Sequence, residues 1–154
     1  MRPVLVQNQT LREIGMYISD VMHPKAVAIA PETSVQEVAR LMEKNDIGAV
    51  LVMADGGLAG IVTDRDLALR VIAKGGDPKG MTAGDVMTKG VIHCAARETV
   101  EDAIHLMEQK QIRRLPVLDK AGKVVGMLSL GDVAQAMPQS LSGELLHAVA
   151  QHHA

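Results

Sequence analysis

Apolar positions along the chain fall into short runs that resemble strands and longer stretches spaced as one face of a helix. The run at 26–30 predicts a strand, because short apolar runs favour extended chain. A helix follows, and the capping-box pattern of Ser34 with Glu37 predicts where it starts. Its predicted apolar face is Val35, Val38, Ala39 and Met42. Two further runs, 49–53 and 58–63, flank a turn that contains glycine and predict a β-hairpin.

The same order of elements occurs a second time. Asp20-Val21-Met22 recurs 65 positions later as Asp85-Val86-Met87, and after one extra residue the interval becomes 66. The second copy has a strand run at 91–95, a capping box at Thr99 and Asp102, a helix face at Val100, Ala103, Ile104 and Met107, and hairpin runs at 115–118 and 124–129. Each copy predicts a β-α-β-β-α unit whose last helix starts at Thr63 or Ser129. Units of about 50 residues are small for independent folding, so we expect two halves that share one interface.

The predicted division of the chain follows this repeat. It comprises an N-terminal extension with a short helix at 1–19, a first unit at 20–74, a linker at 75–84, a second unit at 85–137 and a helical tail at 138–154. The amphipathic segment 11–18 and a last helix at 143–151 lie outside the repeat. We expect them to cover the core of the two units, with extension of a dimer interface or docking of a partner as the alternatives.

Composition and charge disfavour several classes of function. The 154 residues include 16 Lys and Arg against 18 Asp and Glu, a formal charge of −2, which gives no general attraction to nucleic acid. Tyr17 is the only aromatic residue, so bases have no aromatic platform on which to stack. Cys94 is the only cysteine and is predicted to be a small buried strand residue. No apolar run reaches the roughly 20 residues of a membrane span and no signal peptide is indicated, so we expect a cytoplasmic protein that does not enter a membrane.

Four groups of residues occur in an order that is typical of one family. They are Asp20-Val21-Met22, Gly60-Ile61-Val62-Thr63-Asp64-Arg65-Asp66, Ile112-Arg113-Arg114-Leu115-Pro116-Val117 and Gly126-Met127-Leu128-Ser129-Leu130-Gly131-Asp132. With their duplication and spacing, about residues 16–137 resemble a freestanding tandem pair of cystathionine-beta-synthase (CBS) domains, the adenosyl-ligand-sensing module also called a Bateman module. The resemblance implies an α/β fold of the α+β kind, in which the two units pack with pseudo-twofold symmetry and leave two clefts between them.

The resemblance also implies a ligand-binding role where a strand runs into a helix. In the family the hydroxyl reaches phosphate and the carboxylate holds the ribose diol, roles that would fall to Thr63 and Asp66 in one site and to Ser129 and Asp132 in the other. A carboxylate suits a vicinal diol because it accepts two hydrogen bonds in one plane, and free N–H groups at a helix start favour phosphate. The same spacing is that of an N-terminal cap, and the two interpretations are compatible.

Other candidate ligand-binding residues have plain structural alternatives. Gly60 and Gly126 either let a nucleotide lie against the strand or only allow close packing. Arg113 and Arg114 have no counterpart in the first copy; they either bind a phosphate, for which the guanidinium fork is suited, or are solvated charges at a strand edge. The sequence does not decide which of the two clefts this arginine pair faces. Candidate walls of an apolar adenine slot, or alternatively core residues, are Val27, Ile29, Val91 and Ile92.

On this resemblance we expect a regulatory sensor that binds an adenosine nucleotide, with AMP, ADP or ATP favoured and NAD or S-adenosylmethionine as alternatives. No obligatory cofactor is implied. The signal would pass to a regulated partner protein or through a homodimer, which family members often form with their helices. The alternative is a ligand-free interaction or scaffold module in which both motifs are only caps. Neither an enzyme nor a metal site is expected, because no nucleophile can be paired with a base and the histidines lack metal-ligand spacing.

Overall fold

The computed structural model describes residues 15–137 as two compact units. The first-repeat unit is Ala26–Val91, and the second-repeat unit consists of residues 15–25 together with residues 92–137. The predicted last helix at 143–151, the rest of the predicted tail and residues 1–14 lie outside the described residues. Both described units contain helices and a small sheet, so the predicted mixed α+β fold with two similar halves is confirmed.

The elements follow the predicted order in both units. In chain order they are α1 (Ile18–Val21), β1 (Ala28–Ile29), α2 (Val35–Asn45), β2 (Ala49–Ala54), β3 (Gly57–Thr63), α3 (Asp64–Asp66), a π-helical segment (Leu67–Ile72), α4 (Ala83–Val86), β4 (Cys94–Ala95), α5 (Val100–Lys110), β5 (Arg114–Leu118), β6 (Val124–Ser129) and α6 (Leu130–Ala136). The last helix of the first repeat is therefore α-helical only in its first turn, whereas that of the second repeat is α-helical throughout.

Each unit has a three-stranded sheet in which a parallel strand is added to an antiparallel hairpin. The strand orders are β1-β2-β3 and β4-β5-β6. In the first hairpin Asp55 and Gly56 both have positive φ, 52° and 77°, as the two central residues of a tight hairpin turn require. The strands β1 and β4 have two residues each, shorter than the predicted runs, because only those residues pair with the hairpin.

Both long helices start at the predicted caps, but only one has a complete capping box. At α5, Thr99 Oγ1 accepts a hydrogen bond from Asp102 N, while Asp102 Oδ2 accepts from Thr99 N at 3.1 Å. At α2, Ser34 Oγ accepts from Glu37 N at 3.2 Å, whereas the Glu37 carboxylate lies 3.7 Å from Arg40. The predicted reciprocal bond at Ser34 is therefore wrong, because the longer glutamate side chain reaches along its own helix instead.

Each unit has its own apolar core beneath its sheet. The predicted α5 face is confirmed, since Val100, Ala103, Ile104 and Met107 are all buried. On α2 the buried residues are Val35, Val38 and Met42, whereas Ala39 is exposed because it lies at the margin of the stripe, where a single methyl group costs little in water. Cys94 is the predicted small buried strand residue; burial raises the pKa of its thiol to about 12.

The Asp-Val-Met segment of each repeat packs in the compact unit of the other repeat. Ile18 N of α1 donates to Glu98 O at 2.9 Å, and Ala83 N of α4 donates to Thr33 O at 2.7 Å. Ile18 and Ala83 are completely buried. Consequently each compact unit is built from two parts of the repeat pattern, although the repeats follow one another along the chain.

None of the helices among residues 15–137 has the length and apolar character needed to span a membrane.

Candidate functional site

The corner between β3 and α3, here called the Thr63 corner, is closed by a reciprocal cap. Thr63 N and Thr63 Oγ1 donate to Asp66 Oδ2 at 2.8 and 3.0 Å, and Asp66 N donates back to Thr63 Oγ1 at 3.2 Å. The Asp66 side chain is 15% exposed. The cap interpretation of this motif is therefore established, and the carboxylate keeps a second oxygen, Oδ1, outside the cap.

The corner between β6 and α6, the Ser129 corner, repeats the backbone part of this arrangement. Ser129 N donates to Asp132 Oδ2 at 2.8 Å, and Asp132 N donates to Ser129 Oγ at 3.0 Å. The described residues give the Ser129 hydroxyl no acceptor for its own proton, whereas the Thr63 hydroxyl donates to Asp66. The two corners therefore differ in one free hydroxyl proton.

The backbone just before the second strand of each sheet is tied to the corner. Asp64 N donates to Gly48 O at 3.0 Å, and Leu130 N donates to Arg113 O at 2.9 Å. Arg114 is the direct cross-strand partner of Ser129. Because residues that lie directly opposite each other point to the same face of a sheet, with Cβ atoms about 4.5–5.5 Å apart, the fold brings the side chain of Arg114 next to the Ser129 corner.

The arginine pair is a feature of the Ser129 corner alone. Arg113 is exposed and Arg114 half-buried. Within residues 15–137, neither side chain forms an ion pair or a hydrogen bond with the protein. Ala49 lies opposite Thr63 in the first hairpin, so the Thr63 corner has no cation at that register position.

A different arginine serves the Thr63 corner, and the sequence analysis did not identify it as a functional residue. Arg70 Nη1 donates to Val86 O at 2.7 Å and Nη2 to Thr88 Oγ1 at 3.1 Å, while Nε lies 3.5 Å from Asp66 Oδ1. The four-residue spacing from Asp66 is the signal that could have indicated this ion pair. In the second repeat the corresponding position is Ala136.

The two motif glycines face side chains or backbone from an Asp-Val-Met segment. A Cβ atom on Gly60 would lie 2.5 Å from Met87 Sδ, and one on Gly126 would lie 2.5 Å from His23 O and 2.9 Å from Met22 Sδ. His23 and Met127 also exchange backbone hydrogen bonds of 2.8 and 3.0 Å. Close packing therefore explains both glycines, and contact with a nucleotide remains a prediction.

Three of the four candidate adenine-slot residues pack against a core. Val27 and Ile29 pack partly buried against the core of the first-repeat unit, and Ile92 packs against that of the second. Val91 is half-buried at the end of the first-repeat unit. A core role is thus present for Val27, Ile29 and Ile92, and the role of all four residues as adenine walls remains a prediction.

The two repeats match one known protein family. The model of the CBS domain matches residues 18–73 and residues 83–139. The chain belongs to the CBS domain family. The CBS domain-containing protein YhcV of Bacillus subtilis (strain 168) is 40% identical over 118 residues, which are 76% of this chain and 82% of that protein. Its name states the CBS domain and no reaction.

Two solved structures resemble this chain over most of its length. CBSX2, solved in complex with AMP, is 31% identical with a TM-score of 0.66 and covers 79% of this chain and 96% of its own. Hypoxic Response Protein I, solved with two coordinated zinc ions, is 28% identical with a TM-score of 0.71. The match covers 80% of this chain and 100% of that protein's chain. Residues 15–137 of the present CBS protein contain no group of three or more His, Cys, Asp and Glu side chains that could hold a metal ion.

Proposed function

We propose that this CBS pair is a regulatory module that binds an adenosine nucleotide, with AMP, ADP or ATP favoured over NAD and S-adenosylmethionine. The observation that carries the proposal is the group formed by Ser129, Asp132 and Arg114 in the second-repeat unit. It combines a hydroxyl, a carboxylate and a guanidinium, which suit a phosphate and a ribose diol. The AMP complex of CBSX2 supports adenine as the base.

Each of the three side chains has its own part in binding. Ser129 N holds Asp132 Oδ2 at 2.8 Å and so orients the carboxylate toward a ribose diol. The Ser129 hydroxyl donates a hydrogen bond to a phosphate oxygen. Arg114 has no internal partner among the described residues, so its guanidinium binds phosphate without breaking a bond within the protein, and charge-assisted hydrogen bonds of this kind are the strong ones.

The Thr63 corner forms a second, weaker site for the same class of ligand. Asp66 takes the ribose, but the Thr63 proton is already donated to Asp66 Oδ2 at 3.0 Å. Ala49 stands at the register position of Arg114 and supplies no charge. Phosphate therefore contributes less to affinity at this corner than at the Ser129 corner.

Apolar side chains beside the first strand of each repeat hold the adenine. Val27 and Ile29 serve this purpose in the first repeat, and Val91 and Ile92 in the second. Without aromatic stacking the base is held by aliphatic contacts and backbone hydrogen bonds. Ligand binding shifts the arrangement of the module, and a homodimer or a regulated partner protein receives this signal. The shift is only as large as the preference of the ligand for one arrangement allows.

Thermal unfolding against a panel of ligands tests the proposal. The wild-type protein, Asp66→Ala and Asp132→Ala are each titrated with AMP, ADP, ATP, NAD, S-adenosylmethionine and inorganic phosphate. At about 100 times the dissociation constant a ligand adds about 2.7 kcal/mol of stability, equivalent to several degrees at this chain length. We expect a shift of this size with one or more adenine nucleotides, with the greater loss of response in Asp132→Ala.

The alternative of a ligand-free scaffold gives the opposite result. If both motifs are only caps, Asp66→Ala and Asp132→Ala each cost about 1 kcal/mol of unfolding free energy, and no compound on the panel raises the melting temperature of the wild-type protein. Arg40→Ala, a change on the exposed face of α2, is the control for loss of a surface charge. The absence of any shift in the wild-type protein contradicts the proposed function.

A further inference from the structure

Arg70 uses all three guanidinium nitrogens within the first-repeat unit. Two of them donate to the end of α4 and the residues after it, at Val86 O (2.7 Å) and Thr88 Oγ1 (3.1 Å), and the third lies 3.5 Å from Asp66 Oδ1. Thr88 is itself fixed to β3, because Thr88 N donates to Ile61 O at 2.9 Å and Thr88 O accepts from Ile61 N at 3.0 Å. A planar guanidinium held at three points is a rigid connection between a carboxylate and a backbone segment.

Both oxygens of Asp66 therefore have protein partners. Oδ2 accepts from Thr63 N and Thr63 Oγ1, and Oδ1 lies against Arg70. At the Ser129 corner Asp132 Oδ2 accepts the capping bond from Ser129 N at 2.8 Å, and Ala136 occupies the position of Arg70. Thr88 in the first-repeat unit corresponds to His23 in the second-repeat unit, where His23 Nδ1 lies 3.2 Å from Lys25 O.

We infer that Arg70 is a positioning residue for ribose binding at the Thr63 corner, and that it links occupancy of Asp66 to the segment 86–88. The inference rests on the proposed function. A carboxylate fixed at both oxygens has one orientation in which to accept the two hydroxyls of a diol. A ligand hydroxyl that bonds to Oδ1 shares this oxygen with Arg70, so binding alters the bonds of Arg70 to Val86 and Thr88. Among residues 15–137, the Ser129 corner has no equivalent link.

Discrimination between adenosine and 2′-deoxyadenosine measures this positioning. The Asp132→Ala variant removes the ribose carboxylate of the other corner, and calorimetric titration then reports the preference for the intact diol at Asp66. We expect a preference of about tenfold, decreasing to about twofold when Arg70→Ala is added. Arg70→Lys keeps the charge but not the fork, and we expect an intermediate preference.

Hydrogen exchange gives a second readout that does not depend on the affinity ratio. The amide of Thr88 bonds to Ile61 O, and its exchange rate should change on addition of adenosine to the Asp132→Ala protein. The change should be lost with Arg70→Ala. Thr88→Val removes one acceptor of the guanidinium without touching Asp66, so it tests the link even where Arg70→Ala lowers the stability of the fold.

The controls separate this inference from the proposed function. Arg40→Ala in the same background removes an equal charge from an exposed ion pair with Glu37 and should leave both readouts unchanged. An unchanged diol preference in Arg70→Ala overturns the role of Arg70 while leaving nucleotide binding intact. Binding in the wild-type protein that disappears in Asp132→Ala also overturns it, because Asp66 then holds no ligand. Failure of the wild-type protein to bind any adenosyl compound overturns both proposals.

Discussion

The Thr63 and Ser129 corners share a cap and differ in the cation beside it. At the Thr63 corner Arg70 is bound to the protein at three points, whereas Arg114 at the Ser129 corner has no partner among the described residues. An arginine that is already bonded internally serves structure, and one that is not is available to a ligand. Duplication has thus kept the same capping geometry at both corners, while the placement of the neighbouring arginine differs between them.

The two glycines show a second difference between the repeats. Gly60 is covered by the flexible side chain of Met87, but Gly126 is covered by the backbone oxygen of His23. A methionine side chain adapts to an added atom at low cost, whereas the strand-like pairing of His23 with Met127 has to break before its carbonyl can move. We therefore expect an added methyl group to cost less at Gly60, although Met87 Cγ and Cβ would also lie 2.9 and 3.0 Å from it, than at Gly126.

The largest expected effect concerns these glycines. Gly126→Ala should lower the free energy of unfolding by about 3 kcal/mol, because the new Cβ atom meets backbone 2.5 Å away, whereas Gly60→Ala should cost about 1 kcal/mol. Urea unfolding followed by circular dichroism measures both. Gly131→Ala is the control, since its Cβ would have no contact closer than 3.6 Å and alanine favours the helix α6. Equal losses at Gly60 and Gly126 would refute the difference in packing.

The next largest effect, about tenfold in the affinity for AMP, is expected for Arg114, whose side chain has no partner within residues 15–137. Arg114→Ala should weaken AMP binding by about this factor and leave adenosine binding unchanged, because only AMP carries the phosphate. Calorimetric titration of both compounds gives the ratio. Arg97→Ala removes an exposed arginine of the same unit and serves as the matched control.

The reverse substitution sharpens the same comparison. Ala49→Arg places a guanidinium opposite Thr63, where Arg114 lies opposite Ser129. In the Asp132→Ala background this change should raise the affinity for AMP over adenosine at the Thr63 corner. Should Arg114→Ala weaken both compounds equally, Arg114 acts through the fold and not through phosphate.

The sequence predicted the elements better than the partners of individual side chains. Hairpins were identifiable because Asp55-Gly56 matches the backbone that a tight turn needs, and the repeat itself located Thr63 and Ser129. The packing of α1 with the second repeat depends on long-range contacts such as Ile18 N to Glu98 O, which no local pattern encodes. Arg70 was missed for the same reason, since two of its three partners lie 16 and 18 residues away.

The smallest expected effect on the free energy of unfolding concerns the cap at the start of α4. Asp85 Oδ2 accepts from Thr82 N at 2.8 Å and Thr82 Oγ1 at 3.0 Å, whereas in the other repeat Asp20 Oδ2 accepts from Tyr17 N at 3.1 Å. The hydrogen bond from the Thr82 backbone N–H is the larger cause, and that from the Thr82 hydroxyl the smaller cause, of a pKa of Asp85 below the ordinary value of 3.8. Because the folded protein favours the charged form, this stabilisation is present above that value and is lost as the pH falls below it.

Replacing Asp85 isolates this contribution. The difference in urea midpoint between the wild-type protein and Asp85→Asn should narrow as the pH is lowered from about 6 to about 2. Thr82→Val removes the hydroxyl but keeps the backbone N–H, which is the larger cause of the lowered pKa, so most of the pH dependence should persist. A difference that stays constant across this range would mean that Asp85 contributes through packing of α4 and not through its charge.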